Sequence, residues 1–191
     1  EELDDVEAAM IVTYREVYST MKRLGFQKGK SLVLYGAGPV GLVFITLAKY
    51  MGLSPIICVD HTEKKLESAR KCGADYTLNF DQCDVSEEVL KILPEKADMI
   101  LDAAGVPALI NQNLKLVKNF GDVCIYGETA KSEYLINWEE APFCFNLRFA
   151  QWPSKAEEAE VHDEIIALIK QGVLKGSNYI SDVFDFKDSV E

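Results

Sequence analysis

The sequence predicts an α/β fold in which a doubly wound parallel sheet carries helices on both faces. Apolar runs of strand length alternate with helical patterns along the chain, as in folds built from strand-helix-strand units. The predicted strands are continuously apolar, which is typical of strands that are covered on both faces. A glycine-rich turn over residues 36–41 joins the first strand to the next helix. In such sheets, ligands bind beyond the carboxyl ends of the strands.

The first half of the chain is expected to hold three helices and three strands. Apolar residues near a 3.6-residue period predict the first helix, and Gly25 ends it. The second helix is apolar almost all round, which predicts burial. In order, the expected elements are a helix over 6–24, a strand over 31–35, a helix over 40–51, a strand over 55–59 that leads to Asp60, a helix over 63–71 closed by Gly73, and a strand over 76–80.

The second half is divided by capping patterns and by glycines. Asp84 with Glu87, and Ser154 with Glu157, fit the capping box that starts a helix. The expected elements are a helix from Asp84 to about Ile92, a strand over 99–102, a helix from Pro107 toward Lys118, a strand over 123–126 after a break at Gly121, a strand over 145–150, and a helix from Ser154 to Gly172.

The composition is that of a globular domain with a marked negative charge. The 191 residues carry a formal net charge of −11, which argues against partners such as nucleic acid or an anionic membrane surface. No apolar run has membrane-spanning length. The five cysteines form no Cys-x-x-Cys pair, which indicates free thiols in a reducing compartment and predicts a cytoplasmic location.

The run Gly36-Ala37-Gly38-Pro39-Val40-Gly41 matches the pattern Gly-x-Gly-x-x-Gly between a strand and a helix. The first glycine permits the tight turn, the second lets a pyrophosphate approach the backbone, and the third lets the helix lie close on the strand. Pro39 suits the first helical turn, where its missing N–H is not needed. The free N–H groups at the helix start favour phosphate. The pattern predicts the dinucleotide-binding turn of a Rossmann fold.

Asp60 ends the second predicted strand, 19 residues after the last glycine of the turn. A carboxylate at this spacing accepts hydrogen bonds from the adenosine ribose. It also repels a 2′-phosphate by roughly 1–4 kcal/mol at about 4 Å, so NAD is favoured over NADP. Lys64 and Lys65 oppose this preference, because a nearby cation can accept the extra phosphate. Asp60 and Glu63 also fit a capping box, and the two interpretations are compatible.

Taken together, these segments resemble the cofactor domain of the medium-chain dehydrogenase/reductases, close to the zinc-type alcohol, polyol and threonine dehydrogenases. The resemblance covers nearly the whole chain, and the ordered set of segments is more specific than any one motif. The segments are Gly29-Lys30, Gly36 to Leu42, Ala48 to Gly52, Asp60, Lys65-Leu66, Ala69, Gly73 to Asp75, Asp102 to Gly105 and Gly121 to Gly127.

The resemblance implies roles for individual residues. It implies that the pyrophosphate rests on residues 38–40 and that Asp60 and Lys65 hold the adenosine ribose. The turn Ala103-Ala104-Gly105 is expected near the adenosine side, and Tyr126-Gly127-Glu128 near the nicotinamide. His61 is interpreted either as a contact of the adenine edge or as a loop histidine.

The resemblance also implies that the substrate and the catalytic metal lie mostly on a separate domain. Polyol-type members place a metal-binding Glu on the connecting helix, and an ungapped match back from Gly36 puts Val12 there. Valine cannot bind zinc. Glu16 lies one helical turn later and is interpreted as an exposed helix charge or as a substitute ligand. No metal and no catalytic residue is therefore assigned to this chain, and any zinc is expected in the parent protein.

The domain organisation follows from this resemblance. Residues 1–28 are expected to form a connecting helix region and residues 29–191 the dinucleotide-binding domain. The chain begins with Glu-Glu and ends without a helix-stop signal, so it is interpreted as part of a larger protein. The apolar segment 145–150 is expected at a sheet edge, where it pairs into a homodimer or a higher oligomer.

The favoured function is the NAD(H)-binding domain of an oxidoreductase. The resemblance implies that the parent enzyme transfers hydride between nicotinamide and an alcohol, polyol or carbonyl substrate bound by a separate domain, and this chain alone is expected to be inactive. Two alternatives remain at this point, a stand-alone nucleotide-sensing module and a methyltransferase. Pro39 at the helix start fits the methyltransferase less well.

Overall fold

The computed structural model describes residues 3–129, 133–185 and 187. No helix within those ranges is both long and apolar enough to cross a bilayer. The elements in chain order are α1 (Asp5–Leu24), β1 (Leu32–Tyr35), α2 (Pro39–Tyr50), β2 (Ile56–Asp60), α3 (Glu63–Cys72), β3 (Tyr76–Asn79), α4 (Val85–Ile92), β4 (Ala97–Asp102), α5 (Leu109–Leu116), β5 (Val117–Ile125), β6 (Asn146–Phe149), α6 (Lys155–Glu160), α7 (His162–Lys170) and a 3₁₀ turn (Gly176–Asn178).

The sheet has the strand order β3-β2-β1-β4-β5-β6, and every neighbouring pair is parallel. The chain winds outward from β1 to β3, returns to the centre, and then winds from β4 to β6. The winding direction therefore reverses between β1 and β4. The crevice beyond the carboxyl ends of these two strands is where such sheets bind ligands. The predicted fold class is confirmed.

The central strands β1, β2 and β4 are buried on both faces, because successive side chains point to opposite sides of a sheet and both sides are covered. On β1, Leu32 and Leu34 pack into the core covered by α1, α2, α3 and α7, while Val33 and Tyr35 pack into the core under α4 and α5. All four side chains are at most 2% exposed. This two-sided burial explains why the strands are continuously apolar in the sequence.

Helix ends follow the predicted local chemistry in most places. Gly25 and Gly73 adopt the left-handed conformation directly after α1 and α3, where glycine carries no steric penalty. The capping box of Ser154 and Glu157 is confirmed, since each side chain accepts the backbone N–H of the other residue. The Asp84 carboxylate likewise accepts the backbone N–H of Glu87 at 3.1 Å.

The helix predicted from Pro107 toward Lys118 is wrong at its end. The helix α5 stops at Leu116, and β5 begins at Val117, well before the predicted break at Gly121. Val117 is fully buried and pairs with Ala97 at the start of β4, so burial in the sheet decides the conformation of this β-branched residue.

The last predicted helix is two helices in the structure. α6 ends at Glu160 and α7 begins at His162, and the intervening Val161 is 2% exposed in the core. The Arg15 side chain donates to the Glu158 carbonyl at 2.9 Å, which ties α6 to α1. No glycine or proline marks this break in the sequence, so one helical pattern runs through it.

A polar cluster joins the amino ends of β1 and β4. The Asp98 carboxylate accepts the Ser31 backbone N–H at 3.0 Å and the Ser31 hydroxyl at 2.8 Å, and it pairs with the Lys118 ammonium. Burial alone would raise the pKa of the Asp98 carboxyl, but the hydrogen bonds from Lys118 and Ser31 lower it by more than burial raises it. They hold the pKa of Asp98 below its ordinary value of 3.8.

Replacing Asp98 by asparagine should lower the free energy of unfolding at neutral pH by about 1–3 kcal/mol, because the ion pair and one charged acceptor are lost. The pKa of Asp98 is lower in the folded chain than in the unfolded chain. Its contribution is therefore present above the unfolded-state pKa and is lost as the pH falls through the folded-state value. Urea unfolding at neutral and at acidic pH measures this. A stability difference between Asp98→Asn and the unsubstituted chain that does not shrink in acid would contradict it.

Candidate functional site

The glycine turn lies between β1 and α2 with the geometry that its three glycines require. A Cβ added at Gly41 would lie 1.9 Å from the Gly36 carbonyl oxygen, so only glycine allows α2 to approach β1 this closely. Gly36 has a φ of 100°, and its N–H donates to the Val59 carbonyl at 2.8 Å. A Cβ at Gly38 would meet nothing within 4 Å. The space beside Gly38 is therefore open to a ligand.

The start of α2 presents unsatisfied backbone donors to that space. Gly38 is the N-cap residue and makes no side-chain cap hydrogen bond, and Pro39 is the first helical residue. The N–H groups of Val40 and Gly41 have no acceptor within the helix, because the preceding turn does not exist. Donors at a helix start and the positive end of its dipole favour an anion such as a diphosphate.

Asp60 binds the glycine turn and does not cap α3. Its carboxylate accepts the Ala37 N–H at 2.8 Å and the Thr62 N–H at 2.9 Å. The predicted capping box with Glu63 is wrong, since Thr62 is the N-cap residue of α3 and makes no side-chain cap bond. The reason is that Asp60 still belongs to β2, so its side chain faces the neighbouring turn.

The Asp60 carboxylate keeps acceptor capacity for a ligand. Each of its two oxygens accepts one backbone N–H, and each carboxylate oxygen has two lone pairs. The Lys65 ammonium lies 4.0 Å from the nearer oxygen, and the Asp60 side chain is 10% exposed. Asp60 and Lys65 therefore lie together at the end of β2, as the sequence predicts.

A cavity of about 190 Å³ opens beside Asp60, between the loops that follow β2 and β4. His61 lies on its wall, with Nδ1 2.9 Å from the Asp81 carboxylate and its ring 4.9 Å from the ring of Phe80. Tyr35 also lines this cavity, and its buried hydroxyl has no hydrogen-bond partner among the described residues. Phe80 and Tyr35 were not predicted as site residues, because only the packing of β1 against the neighbouring loops brings them to this cavity.

The loop after β4 is organised by Asp102. This side chain is 2% exposed, and its oxygens accept the N–H groups of Ala104, Gly105 and Val106 at 2.9, 2.9 and 3.0 Å. Burial raises the pKa of the Asp102 carboxyl, and the three amides oppose that rise. Ala103 belongs to the same loop, and its N–H donates to the Tyr35 carbonyl. The turn Ala103 to Gly105 was predicted from the sequence to belong to the site, but the hydrogen bonds by which Asp102 organises the loop were not predicted.

The loops after β4 and β5 interlock through two glycines. A Cβ at Gly105 would lie 2.0 Å from the Glu128 carbonyl oxygen, and a Cβ at Gly127 would lie 2.2 Å from the Gly105 nitrogen. Only glycine fits at either position. This contact brings the two predicted segments, 103–105 and 126–128, together at one edge of the sheet.

A second cavity, of about 180 Å³, lies at the other end of this edge. It is lined by Glu16, Val40, Ala103, Tyr126, Gly127, Glu128, Gln151 and Trp152. The Gln151 amide donates to the Gly127 carbonyl at 2.9 Å. Gln151 and Trp152 come from the segment after β6, and no motif in the sequence pointed to them.

Glu16 is not an exposed helix charge. It is half-buried, lines this second cavity, and accepts a hydrogen bond from the Tyr126 hydroxyl. Burial and the bond to Glu16 raise the pKa of Tyr126. Val12 is 63% exposed. No group of three or more His, Cys, Asp and Glu side chains within the described ranges is arranged to hold a metal ion.

The predicted residues therefore follow one line along the carboxyl edge of the sheet. Asp60, His61 and Lys65 lie at β2, the glycine turn at β1, Ala103 to Gly105 at β4, and Tyr126 to Glu128 at β5. A groove of about 440 Å³ runs along the outer side of the turn, between Gly38, Lys64, Lys65 and residues 177–181. An elongated ligand with a central diphosphate fits this line of open space, anion donors and a carboxylate.

Comparisons with known proteins agree with this geometry. The family model described as zinc-binding dehydrogenase matches residues 39–147. Sorbitol dehydrogenase of Bacillus subtilis (strain 168) is 32% identical over 132 residues, which are 69% of this chain and 37% of that protein. The chain thus spans well under half of this relative.

Two solved structures show the same fold. One is a short chain alcohol dehydrogenase from E. coli CFT073 complexed with NADH, with a TM-score of 0.85, 21% identity, and coverage of 100% of this chain and 55% of that chain. The other is a putative zinc-binding dehydrogenase from Sinorhizobium meliloti 1021 bound to NADP, with a TM-score of 0.80, 23% identity, and coverage of 91% and 51%. Because the family model matches more than half of its residues, this chain belongs to the zinc-binding dehydrogenase family.

Proposed function

We propose that this chain is the NAD(H)-binding part of a dehydrogenase that transfers hydride between nicotinamide and an alcohol, polyol or carbonyl substrate. The observation that carries the proposal is the hydrogen bond from the Ala37 N–H to Asp60, which holds a carboxylate beside the open space at Gly38. Family membership favours this function over the methyltransferase alternative.

The residues of this chain bind and orient the cofactor, which supplies the hydride chemistry when bound. The amides at the start of α2 take the diphosphate, Asp60 and Lys65 take the adenosine ribose, and the 190 Å³ cavity at His61 takes the adenine. The 180 Å³ cavity at Tyr126 takes the nicotinamide. Residues 1–28 serve as the connection to the part of the protein that binds substrate, and residues 29–191 as the cofactor domain. The chain alone is expected to turn over no substrate.

The preference for NAD over NADP is part of the proposal. Asp60 places a negative charge where an adenosine 2′-phosphate would lie, with its side chain only 10% exposed, and weak screening strengthens the repulsion. Lys65 offsets part of that charge from 4.0 Å. Similar structures have been solved with either cofactor, so this carboxylate is the feature on which the preference depends.

A homodimer or a higher oligomer in the cytoplasm completes the proposal. The strand β6 pairs only with β5 and leaves its other side unpaired within the described residues. Phe143 is fully exposed beside it, and Phe149 on β6 is 65% exposed. Unpaired strand edges with apolar side chains tend to pair with another chain.

Replacing Asp60 by alanine should weaken NADH binding by roughly 10-fold or more, because a charged acceptor for the ribose is lost. The Asp60→Ala protein should bind NADPH about as tightly as NADH, because the repulsion of the 2′-phosphate is removed. Fluorescence titration with both cofactors measures the ratio. Glu67→Ala removes an exposed charge from α3, the helix that follows Asp60, and should leave the ratio unchanged. An unchanged NADH to NADPH ratio in Asp60→Ala would argue against the ribose role.

The substitutions Gly38→Ala and Gly41→Ala should differ in their effects: the first should weaken NADH binding, and the second should lower stability. Gly38 has a φ of −72° and open space at its Cβ position, so Gly38→Ala should keep its stability and lose roughly 10-fold or more in NADH affinity through a clash with the ligand. Gly41→Ala forces a methyl group against the Gly36 carbonyl and should lower the melting temperature. Thermal unfolding and NADH titration separate the two effects. Full NADH affinity in a folded Gly38→Ala protein would contradict the proposed site.

The substitution Phe149→Lys should lower the mass measured by light scattering at high concentration toward that of the monomer, because a charge at a strand edge disfavours pairing with another chain. Tyr76→Lys on β3, at the opposite edge, is the matched control, since Tyr76 is 48% exposed. A monomeric mass for the unsubstituted chain, or the same shift in both variants, would reject pairing through β6.

A further inference from the structure

The cavity at Tyr126 has a negative lining. Its charged side chains among the described residues are the carboxylates of Glu16 and Glu128, and no lysine or arginine lines it. Of the arginines of α1, Arg15 bonds Glu158, and Arg23 pairs with Glu157 at 3.6 Å while its charge still acts on Tyr126. A ligand group in this cavity therefore lies beside two carboxylates, and no cation of the lining pairs with them.

The Glu16 carboxylate is held in place. It accepts the hydroxyl of Tyr126, whose side chain is 7% exposed, and the Tyr126 ring packs edge-on against Phe44 with centroids 4.9 Å apart. Phe44 is fully buried in α2. Glu16 is half-buried, whereas the side chain of Glu128 is exposed to solvent. The fixed, less screened charge of the pair is Glu16.

The cavity belongs to the same edge as the cofactor site. Val40 and Ala103 line it, and these residues belong to the glycine turn and to the loop after β4. It lies at the end of β5, three strands from Asp60 in the sheet order, which is about 14 Å. Under the proposed function, on which this inference rests, the adenosine ribose lies at Asp60 and the nicotinamide lies at this cavity.

The two redox states of nicotinamide differ in charge. The oxidised ring is a pyridinium cation, and the reduced ring is neutral. A fixed carboxylate in a partly buried cavity attracts the first and not the second. We infer that Glu16 selects the redox state of the cofactor and makes this chain bind NAD⁺ more tightly, relative to NADH, than it would without that charge.

This selection has a consequence for the direction of the reaction. Because binding and redox equilibria are linked, tighter binding of the oxidised form makes hydride release from the bound reduced form more favourable. With the cofactor bound, the Glu16 carboxylate would favour the cationic, oxidised ring, and so it would favour transfer of a hydride to a carbonyl carbon whose oxygen takes a proton from water. The residue thereby favours carbonyl reduction over alcohol oxidation. The residue would act through its charge.

The experiment compares affinities for both redox states in the 191-residue chain and in Glu16→Gln. Glutamine removes the charge and keeps an oxygen that accepts the Tyr126 hydroxyl. NADH binding is measured by fluorescence, and NAD⁺ and ADP-ribose binding by calorimetry. In Glu16→Gln, NAD⁺ affinity should fall about 10-fold, while NADH affinity changes by less than about twofold. The affinity for ADP-ribose, which lacks the nicotinamide, should not change.

The matched control is Glu95→Gln. Glu95 is exposed and precedes β4 at the amino ends of the strands, away from the candidate site. This variant has the same change in net charge as Glu16→Gln and should keep the ratio of NAD⁺ to NADH affinity. Tyr126→Phe retains the carboxylate without its hydrogen bond, and its ratio should fall between those of the other two proteins. Circular dichroism verifies folding of each variant.

The outcomes separate the two proposals. Binding of both redox states with the same ratio in Glu16→Gln as in the unsubstituted chain overturns this inference and leaves the proposed function standing. An equal change in Glu95→Gln also overturns it, because net charge would then be the cause. Failure of the unsubstituted chain to bind NADH, NAD⁺ or ADP-ribose overturns the proposed function and this inference with it.

Discussion

The close approach of α2 to β1 is the constraint on which the rest of the structure depends. A methyl group at Gly41 would overlap the Gly36 carbonyl, so this contact exists only because residue 41 has no side chain. It places the start of α2 directly over the point where the sheet reverses its winding. The unsatisfied donors of the helix therefore lie at the carboxyl end of β1, beside the crevice between β1 and β4. The apolar character of α2, with residues such as Phe44 and Leu47 fully buried, holds the helix against the sheet in that position.

Carboxylates at two strand ends organise the remainder of the site in the same way, by accepting hydrogen bonds from loop amides. Asp60 at the end of β2 and Asp102 at the end of β4 both accept backbone N–H groups from the loops that follow or adjoin them. These bonds satisfy loop amides that would otherwise be costly to bury. The two residues differ in access. Asp102 is enclosed and organises the loop, whereas Asp60 borders a cavity and retains acceptor capacity. The same chemistry thus gives a structural role at β4 and, under the proposed function, a ribose-binding role at β2.

The departures from the polyol-type pattern concentrate at one end of the site. The position expected to carry a metal-binding glutamate is an exposed valine, while a glutamate one turn later faces the cavity at Tyr126. Moving an acidic side chain by four residues, about one helical turn, keeps it on nearly the same helix face but places it about 6 Å further along the axis. There, Glu16 accepts the hydrogen bond of the Tyr126 hydroxyl and lines the cavity. Under the inference above, its charge acts on the nicotinamide ring.

The sequence by itself determined the fold class, the order of the elements and the glycine turn, because these depend on local spacing, apolar runs and backbone freedom. It also placed Asp60 and Lys65 beside the turn, since parallel strands bring their carboxyl ends to one edge. Only the tertiary structure decided the bond from Ala37 to Asp60, the strand conformation of Val117, the interlocked glycines 105 and 127, and the contact between Glu16 and Tyr126. Each of these joins segments far apart in the chain, so burial and packing across the sheet fix them, and no local pattern records them.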